Sequence, residues 1–317
     1  MSVTRRDFCS QIAATVPLPT LLLATPSART QPTDDGDPST GSGSSRAKSR
    51  GEQTLPPRLI VSCNLYSFNQ ALTTGAMVLP EVMEYCASIG FAAVDPTGYY
   101  FAGYPTPPSD EAIHRIKHRA FRLGLDISGT GIRTDFAVPR DDDRASDLAL
   151  TERWVGVAAK LGAPMLRVFA GHGAPGTTWT NARERVIAAL ETATAVGARH
   201  GVAIVVQNHQ DTLRTAAEVL EVRRRIPSEW LGLNVDIGSL RTGDPYEEIA
   251  RLAPFAYTWQ IKELVYPRGR AEKTNLATIV RILRESNYRG FVPLETLGEG
   301  DPRQKVRRLL DEFREAL

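Results

Sequence analysis

The sequence has few cysteines, no long apolar run and no large excess of either charge, and each of these absences argues against a class of protein. Its 317 residues include three cysteines and no CxxC pair, which argues against a disulfide scaffold and a structural zinc site. It has no run of 18 or more apolar residues, so no membrane span is predicted in the mature protein. The 38 basic and 36 acidic residues nearly balance, which argues against a nucleic-acid partner. With 42% apolar residues, the chain is typical of a globular protein with a sizeable core.

The N-terminus has the pattern of an export signal. Arg5 and Arg6 precede a weakly apolar stretch, and this pattern resembles a twin-arginine signal. We therefore expect residues 1–28 to be a signal peptide and the protein to be exported to the periplasm; a chance arginine pair is the alternative. Residues 29–57 are rich in Ser, Gly and Pro and are expected to be a disordered linker, because they bury too little apolar surface to order.

From residue 58 onward, a unit of strand, loop and amphipathic helix repeats eight times. The strands are mostly continuous β-rich runs, as expected for parallel strands buried on both faces. Eight units average about 33 residues, the length of a βα unit, so we predict one (β/α)8 TIM barrel over residues 58–317. The predicted strands are 59–64, 91–95, 125–129, 164–170, 202–208, 231–236, 258–263 and 291–295.

A doubly wound open sheet is the alternative fold for the same order of elements. The GxGxxG motif that would support it is missing after the first strand. The glycines of residues 171–178 are spaced as in a phosphate-binding loop, but Thr177 stands where such a loop requires lysine. The sequence therefore favours the barrel.

Polar side chains collect where the predicted strands end. In a barrel of this kind the active site lies at the C-terminal mouth. Core packing does not require polar residues at every strand end, so the group predicts a functional site, although any single member could be a buried hydrogen-bonding residue. The group comprises Asn64, Asp95, Arg133, Arg167, Gln207, Asn208, His209, Asp236, Gln260, Lys262, Glu263 and Glu295.

Six of these segments resemble strand ends of one barrel family. The segments are GTGIRTDF (129–136), RVFAG (167–171), VVQNHQD (205–211), NVDIGSL (234–240), WQIKE (259–263) and PLETLGEGDP (293–302). In order and spacing they resemble the xylose isomerase-like barrels, which comprise sugar isomerases and epimerases, with endonuclease IV as a distant relative. The resemblance covers the region from about residue 57 to the C-terminus.

The resemblance implies a divalent metal held by the last four strands. Asp236 and Glu295 match two of the family's ligands, whereas Gln207 and Gln260 stand where the family has a glutamate and a histidine. Two carboxylates and two amide oxygens suit a hard cation better than Zn²⁺. We therefore expect weakly bound Mn²⁺ or Mg²⁺, with loss of the metal as the alternative.

The same departures affect the expected chemistry. Epimerases of the family move a proton through an enediolate between two facing glutamates, and Gln207 cannot accept a proton at neutral pH. Glu295 would then act alone, or His209 or Glu263 would be the second base. Lys262 is expected to stabilise the enediolate oxygen.

The remaining candidates would bind substrate. They are Asn64, Arg133, Arg167, His172 and Asn208. The expected partner is a small-molecule carbohydrate, and a homo-oligomer is left open. The leading hypothesis is a sugar isomerase or epimerase acting on a keto- or aldo-sugar. The alternatives are a lyase or dehydratase that removes a proton next to a sugar ketone, including elimination of a glycoside, and a non-catalytic sugar-binding barrel without metal.

Overall fold

Parallel strands form the centre of the molecule. A computed structural model describes residues 58–317, so the predicted signal peptide (1–28) and linker (29–57) lie outside the described residues. The strands are β1 Arg58–Asn64, β2 Ala93–Asp95, β3 Asp126–Ile127, β4 Thr130–Gly131, β5 Met165–Phe169, β6 Ala203–Gln207, β7 Leu231–Asp236, β8 Ala256–Lys262, β9 Leu264–Val265, β10 Glu272–Lys273 and β11 Arg289–Glu295.

The strands close into a barrel through one interrupted strand. Their order in the large sheet is β3-β2-β1-β11-β8-β7-β6-β5-β4, and all of its strand pairs are parallel. β3 and β4 are two parts of residues 126–131; β3 pairs with β2, and β4 pairs with β5. The predicted eight-stranded barrel is therefore confirmed, and the open sheet is excluded. The short antiparallel pair of β9 and β10 is separate from this sheet.

Helices follow the barrel strands, as the repeat predicts. They are α1 Asn69–Thr73, α2 Leu79–Ser88, α3 Asp110–Leu123, α4 Asp141–Leu161, α5 Trp179–His200, α6 Ala216–Arg225, α7 Pro245–Leu252, α8 Leu276–Glu285 and α9 Pro302–Ala316. Local sequence explains their ends. In α3, for example, the Ser109 side chain accepts a hydrogen bond from the Ala112 amide, and Gly124 ends the helix with φ +67°. Within residues 58–317, none of these helices combines the length and apolar character of a membrane span.

The alternation of side chains along the strands positions the functional residues. Ile204 and Val206 join the main hydrophobic core, whereas Ala203 and Val205 form a second cluster with Met165. Because side chains alternate along a strand, Gln207 continues the face of Ala203 and Val205. The barrel interior therefore becomes polar at the carboxyl end of β6.

Candidate functional site

A cavity of about 420 Å³ opens at the carboxyl ends of the barrel strands. It has both charged and aromatic walls, and Tyr66, Tyr99 and Phe169 supply aromatic surface. Eight of the predicted site residues line it: Arg133, Arg167, His172, Gln207, His209, Gln260, Lys262 and Glu295. The structure thus brings together side chains from widely separated parts of the sequence.

Asp236, at the end of β7, is the centre of a hydrogen-bond network behind the cavity wall. Its side chain is fully buried. Its Oδ2 accepts hydrogen bonds from Gln207 Nε2, Ser239 Oγ and Lys262 Nζ, each at 2.8 Å. Its Oδ1 accepts one from the Gly238 amide at 3.0 Å. Four donors therefore surround one carboxylate.

Asn208 and Asn64 lie outside the cavity lining, because backbone groups engage their side chains. Asn208 Nδ2 donates to the Asp236 carbonyl at 2.8 Å, and its Oδ1 accepts from the Asp236 amide at 2.9 Å. Asn64 Oδ1 accepts from the Tyr66 amide at 2.9 Å. Both were predicted to bind substrate. In the structure, one fixes the backbone of Asp236 and the other fixes the turn that carries Tyr66.

Glu295, at the end of β11, is a carboxylate with an unused oxygen that lines the cavity. Its Oε1 lies 3.6 Å from Lys262 Nζ. Its Oε2 is buried and has no hydrogen-bond partner among residues 58–317. A buried oxygen without a partner is uncommon and is a candidate for contact with a ligand.

The buried charges shift the pKa values of these groups in different directions. Burial raises the pKa of Glu295 to about 7, although the positive charge of Lys262 opposes this. Burial would also raise the pKa of Asp236, but the charge and hydrogen bond of Lys262 outweigh it and lower the pKa. For Lys262, burial is outweighed by the two carboxylates, and the pKa is raised. Asp236 and Lys262 are therefore both charged at neutral pH, while Glu295 titrates near it.

His209 is a neutral imidazole at neutral pH. Burial lowers its pKa to about 4; Asp236 opposes this shift, and the positive charges of Lys262 and Arg167 reinforce it. The His209 ring centroid lies 4.7 Å from that of Phe169. His209 therefore presents an uncharged hydrogen-bonding group to the cavity.

Two aspartates that the sequence reasoning missed hold the loop that carries His172. Asp135 accepts hydrogen bonds from the Gly173 amide at 3.0 Å and the His172 amide at 3.2 Å. Asp211 accepts one from the Gly171 amide at 2.9 Å. Gly171 has φ +95°, and a Cβ there would lie 2.1 Å from Asp135 Oδ1, so this close approach requires glycine. The sequence could have indicated both aspartates, because they lie in two of the segments that resemble the family, 129–136 and 205–211.

Two guanidinium groups form one wall of the cavity. Arg167 Nη1 donates to the Tyr99 hydroxyl and to the Ile132 carbonyl, each at 2.9 Å. Arg133 Cζ lies 4.5 Å from the centroid of the Tyr99 ring. Within the described part of the chain, neither arginine has a carboxylate at ion-pair distance. This wall is therefore suited to binding oxygen atoms of a ligand.

Glu263 lies outside the main cavity, although it follows Lys262 directly. Its Oε2 lies 3.3 Å from Lys305 Nζ and 3.4 Å from the Leu297 amide nitrogen, which donates to it. It borders a smaller pocket of about 50 Å³, which shares Lys262 and Glu295 with the main cavity. These contacts hold the Glu263 side chain, and it does not line the cavity that Lys262 faces.

The arrangement fits a resident divalent cation poorly. Residues 58–317 contain no group of three or more His, Cys, Asp or Glu side chains that could hold a metal ion. Gln207 turns Nε2, rather than its oxygen, toward Asp236 and Gln260, because a carboxylate only accepts hydrogen bonds. Lys262 lies against both of the predicted carboxylate ligands, Asp236 and Glu295. These contacts favour loss of the metal.

Solved structures with the same fold include several sugar enzymes. A 3-keto-D-glucoside 4-epimerase from E. coli is 15% identical, with TM-score 0.65 over 81% of this chain and 100% of that one. A D-psicose 3-epimerase from Clostridium cellulolyticum is 15% identical, with TM-score 0.68 over 81% and 99%. A probable 3-DHS dehydratase from Bacillus anthracis is 16% identical, with TM-score 0.61 over 79% and 98%. Such low identities show a common fold and do not define a substrate.

Sequence comparison identifies the family. No curated protein matches the chain by sequence. A family model for xylose isomerase-like TIM barrels matches residues 83–316, which is most of the chain and nearly all of the barrel. This protein belongs to the xylose isomerase-like TIM barrel family.

Proposed function

We propose that this protein is a sugar isomerase or epimerase that removes a proton beside the carbonyl group of a keto- or aldo-sugar. One observation carries the proposal: Glu295 has a buried oxygen without a partner among the described residues, and its side chain lines the cavity. Its pKa near 7 suits a group that must accept and return a proton at neutral pH. The epimerases among the structural neighbours support the reaction class.

In this mechanism Glu295 is the base and Lys262 stabilises the developing negative charge. The carboxylate takes the proton, the C–H electron pair forms the carbon–carbon double bond, and the carbonyl electron pair moves to oxygen. Lys262 has three N–H donors, and one of them binds Asp236. Because Lys262 also lines the cavity, a remaining donor can bind the enediolate oxygen.

The fate of the proton favours isomerisation. Epimerisation at one carbon requires a proton from the opposite face of the enediolate. Gln207 cannot supply that proton. His209, whose pKa is about 4, is a neutral imidazole at neutral pH, and its remaining N–H is too weakly acidic to supply it. A single carboxyl group can return the proton to the neighbouring carbon on the same face, while the hydroxyl proton of the first carbon passes to the enediolate oxygen and that carbon becomes the new carbonyl. We therefore place interconversion of an aldose and a ketose ahead of epimerisation.

Elimination from a keto-sugar is the second candidate. It needs one base beside the carbonyl, and Glu295 satisfies this requirement as well as it does for isomerisation. The two reactions differ in their products, because elimination releases water or a glycosidic alcohol and isomerisation releases nothing.

Solvent deuterium exchange tests the function. The full chain would be incubated in D₂O with keto- and aldo-sugars and 3-keto-glycosides, and NMR would follow exchange at the carbon beside the carbonyl and any leaving group. We expect exchange with the wild type and a loss of at least about 10³-fold in Glu295→Gln, because the amide is not a base. Glu285→Gln, an exposed glutamate in α8, is the matched control. Sugar binding without any exchange would identify a non-catalytic barrel and overturn the proposal.

We also propose export through the twin-arginine pathway, on the evidence of Arg5 and Arg6 alone. In a bacterial host with this pathway, the Arg5→Lys/Arg6→Lys variant should stay in the cytoplasm while the wild type reaches the periplasm. The matched control is Arg46→Lys/Arg50→Lys. Equal distribution of the wild type and the first variant would refute the assignment.

A further inference from the structure

We propose that the Lys262 ammonium group takes the place of a divalent cation in this barrel, so that proton abstraction at this site needs no metal ion. The catalytic part of this statement rests on the proposed function. The replacement of the cation rests only on the contacts of Asp236, Lys262 and the two glutamines.

The hydrogen bonds of Asp236 leave no place for a metal at Oδ2. A carboxylate has about four lone-pair positions. The Gly238 amide occupies one on Oδ1, and Gln207, Ser239 and Lys262 all donate to Oδ2. Oδ2 therefore meets three donors with two lone pairs, and a metal ion at Oδ2 would have to displace at least one of them. Asp236 is fully buried, so water could not take over the lost bond.

Lys262 already supplies a positive charge between the two carboxylates. Its Nζ lies 2.8 Å from Asp236 Oδ2 and 3.6 Å from Glu295 Oε1. A divalent cation bound to the same oxygens would lie beside this ammonium group and be repelled by it.

The two glutamines complete the network without an ion. Gln207 Nε2 donates to Gln260 Oε1 at 2.7 Å as well as to Asp236. The hydrogen atoms of this amide group therefore point toward the oxygens that a metal would need. A cation is not bound next to N–H groups that are directed at its own ligands.

The position of Lys262 is built into the surrounding backbone. A Cβ at Gly238 would lie 2.8 Å from Lys262 Cδ, so the glycine makes room for the lysine side chain. The Lys262 carbonyl accepts a hydrogen bond from Thr274 Oγ1 at 2.7 Å. The ammonium group is thus held in place before substrate binds, as electrostatic stabilisation of an enediolate requires.

Metal binding by the purified full chain tests the proposal directly. Elemental analysis would measure bound metal, and a Mn²⁺ titration would follow the electron paramagnetic resonance signal of free Mn²⁺. We expect far less than one metal ion per chain and less than a twofold change in deuterium exchange after dialysis against EDTA. Tight binding of one Mn²⁺ per chain, or exchange that EDTA abolishes and Mn²⁺ restores, would overturn the proposal.

A variant that rebuilds a metal site supplies a positive control. Gln207→Glu/Gln260→His/Lys262→Met restores a carboxylate and an imidazole and removes the ammonium group, so it should bind Mn²⁺ at least about 100-fold more tightly than the wild type. Lys273→Met, at an exposed lysine, should bind Mn²⁺ no better than the wild type. If the wild type binds Mn²⁺ as tightly as the rebuilt variant, the proposal is refuted. If the rebuilt variant does not fold, the measurements on the wild type still decide.

The outcomes separate this proposal from the proposed function. If no sugar exchanges its proton, the proposed function fails, and the Mn²⁺ titration still tests whether Lys262 replaces the cation. If exchange occurs but requires Mn²⁺, the proposed function stands and the replacement by Lys262 is rejected.

Discussion

Replacing Lys262 by methionine should raise the pH at which the enzyme becomes active. Activity requires ionised Glu295, whose pKa is about 7 with Lys262 beside it. The catalytic rate of the wild type should therefore rise with pH through about 7. Removing the ammonium group removes a charge that favours the ionised carboxylate, so the pKa of Glu295 should move upward.

The distance between the two groups sets the size of the shift. At an effective dielectric constant of about 20, two unit charges 3.6 Å apart interact by about 4.6 kcal/mol. At 1.36 kcal/mol per unit this is roughly 3 pKa units. Because the Lys262 side chain is 12% exposed, solvent screens part of this interaction, and we expect a rise of about 1 to 3 units.

The assay is the rate of deuterium exchange at saturating sugar between pH 5 and pH 10. Lys262→Arg keeps the positive charge, so its midpoint should stay close to that of the wild type. Where exchange by the methionine variant is too slow to follow, ¹³C NMR of the Glu295 carboxyl group reports the same pKa. An unchanged or lower midpoint in Lys262→Met would refute the role assigned to the ammonium group.

Three further substitutions test residues that hold the site in place or lie buried beside it. Gly171→Ala places a Cβ against Asp135 at a positive φ, and urea unfolding should show a loss of about 1–3 kcal/mol. Asn208→Ala removes two hydrogen bonds to the Asp236 backbone and should cost about 2–4 kcal/mol in thermal or urea unfolding, with KM nearly unchanged. His209→Gln should make the free energy of unfolding fall less steeply with decreasing pH. The lowered pKa of His209 stabilises the folded state above about pH 6.5, and this contribution is lost as the pH falls toward 4.

Controls distinguish the causes of these effects. Gly176→Ala also has a positive φ, but a Cβ added there would meet no atom within 4 Å, so this substitution should cost less than Gly171→Ala. For Asn208, a large rise in KM without loss of stability would mean that the side chain binds substrate after all. For His209, equal acid sensitivity in the wild type and the variant would contradict its burial as a neutral imidazole.

The fold could be read largely from local patterns. The predicted strand 231–236 coincides with β7, and helices follow the barrel strands as the repeat predicts. This agreement has a physical basis, because apolar periodicity, capping side chains and terminal glycines act over one or two turns of chain. The interruption of the third barrel strand between β3 and β4 was not predicted, because it depends on pairing with two different neighbours.

The candidate site was only partly predictable. The strand ends pointed to Gln207, Lys262 and Glu295, and the structure places all three in the lining of the cavity. Glu263 and Asn208 could have been separated from them by the two-residue alternation, since each directly follows one of these residues in the predicted strands 258–263 and 202–208.

The sequence by itself determined the barrel, its family, and which strand ends carry polar groups, because these follow from periodicity and motif order along the chain. Only the tertiary structure decided how those groups are arranged and which of them are in contact. Asp236, Lys262 and Glu295 lie far apart in sequence, and their charges interact only where three strands meet. Three features depend on distances of a few ångströms between those strands: the direction of the Gln207 amide, the three donors at Asp236 Oδ2 and the unpartnered Oε2 of Glu295. Such distances are set by packing of the whole barrel and are not encoded in any local stretch of sequence.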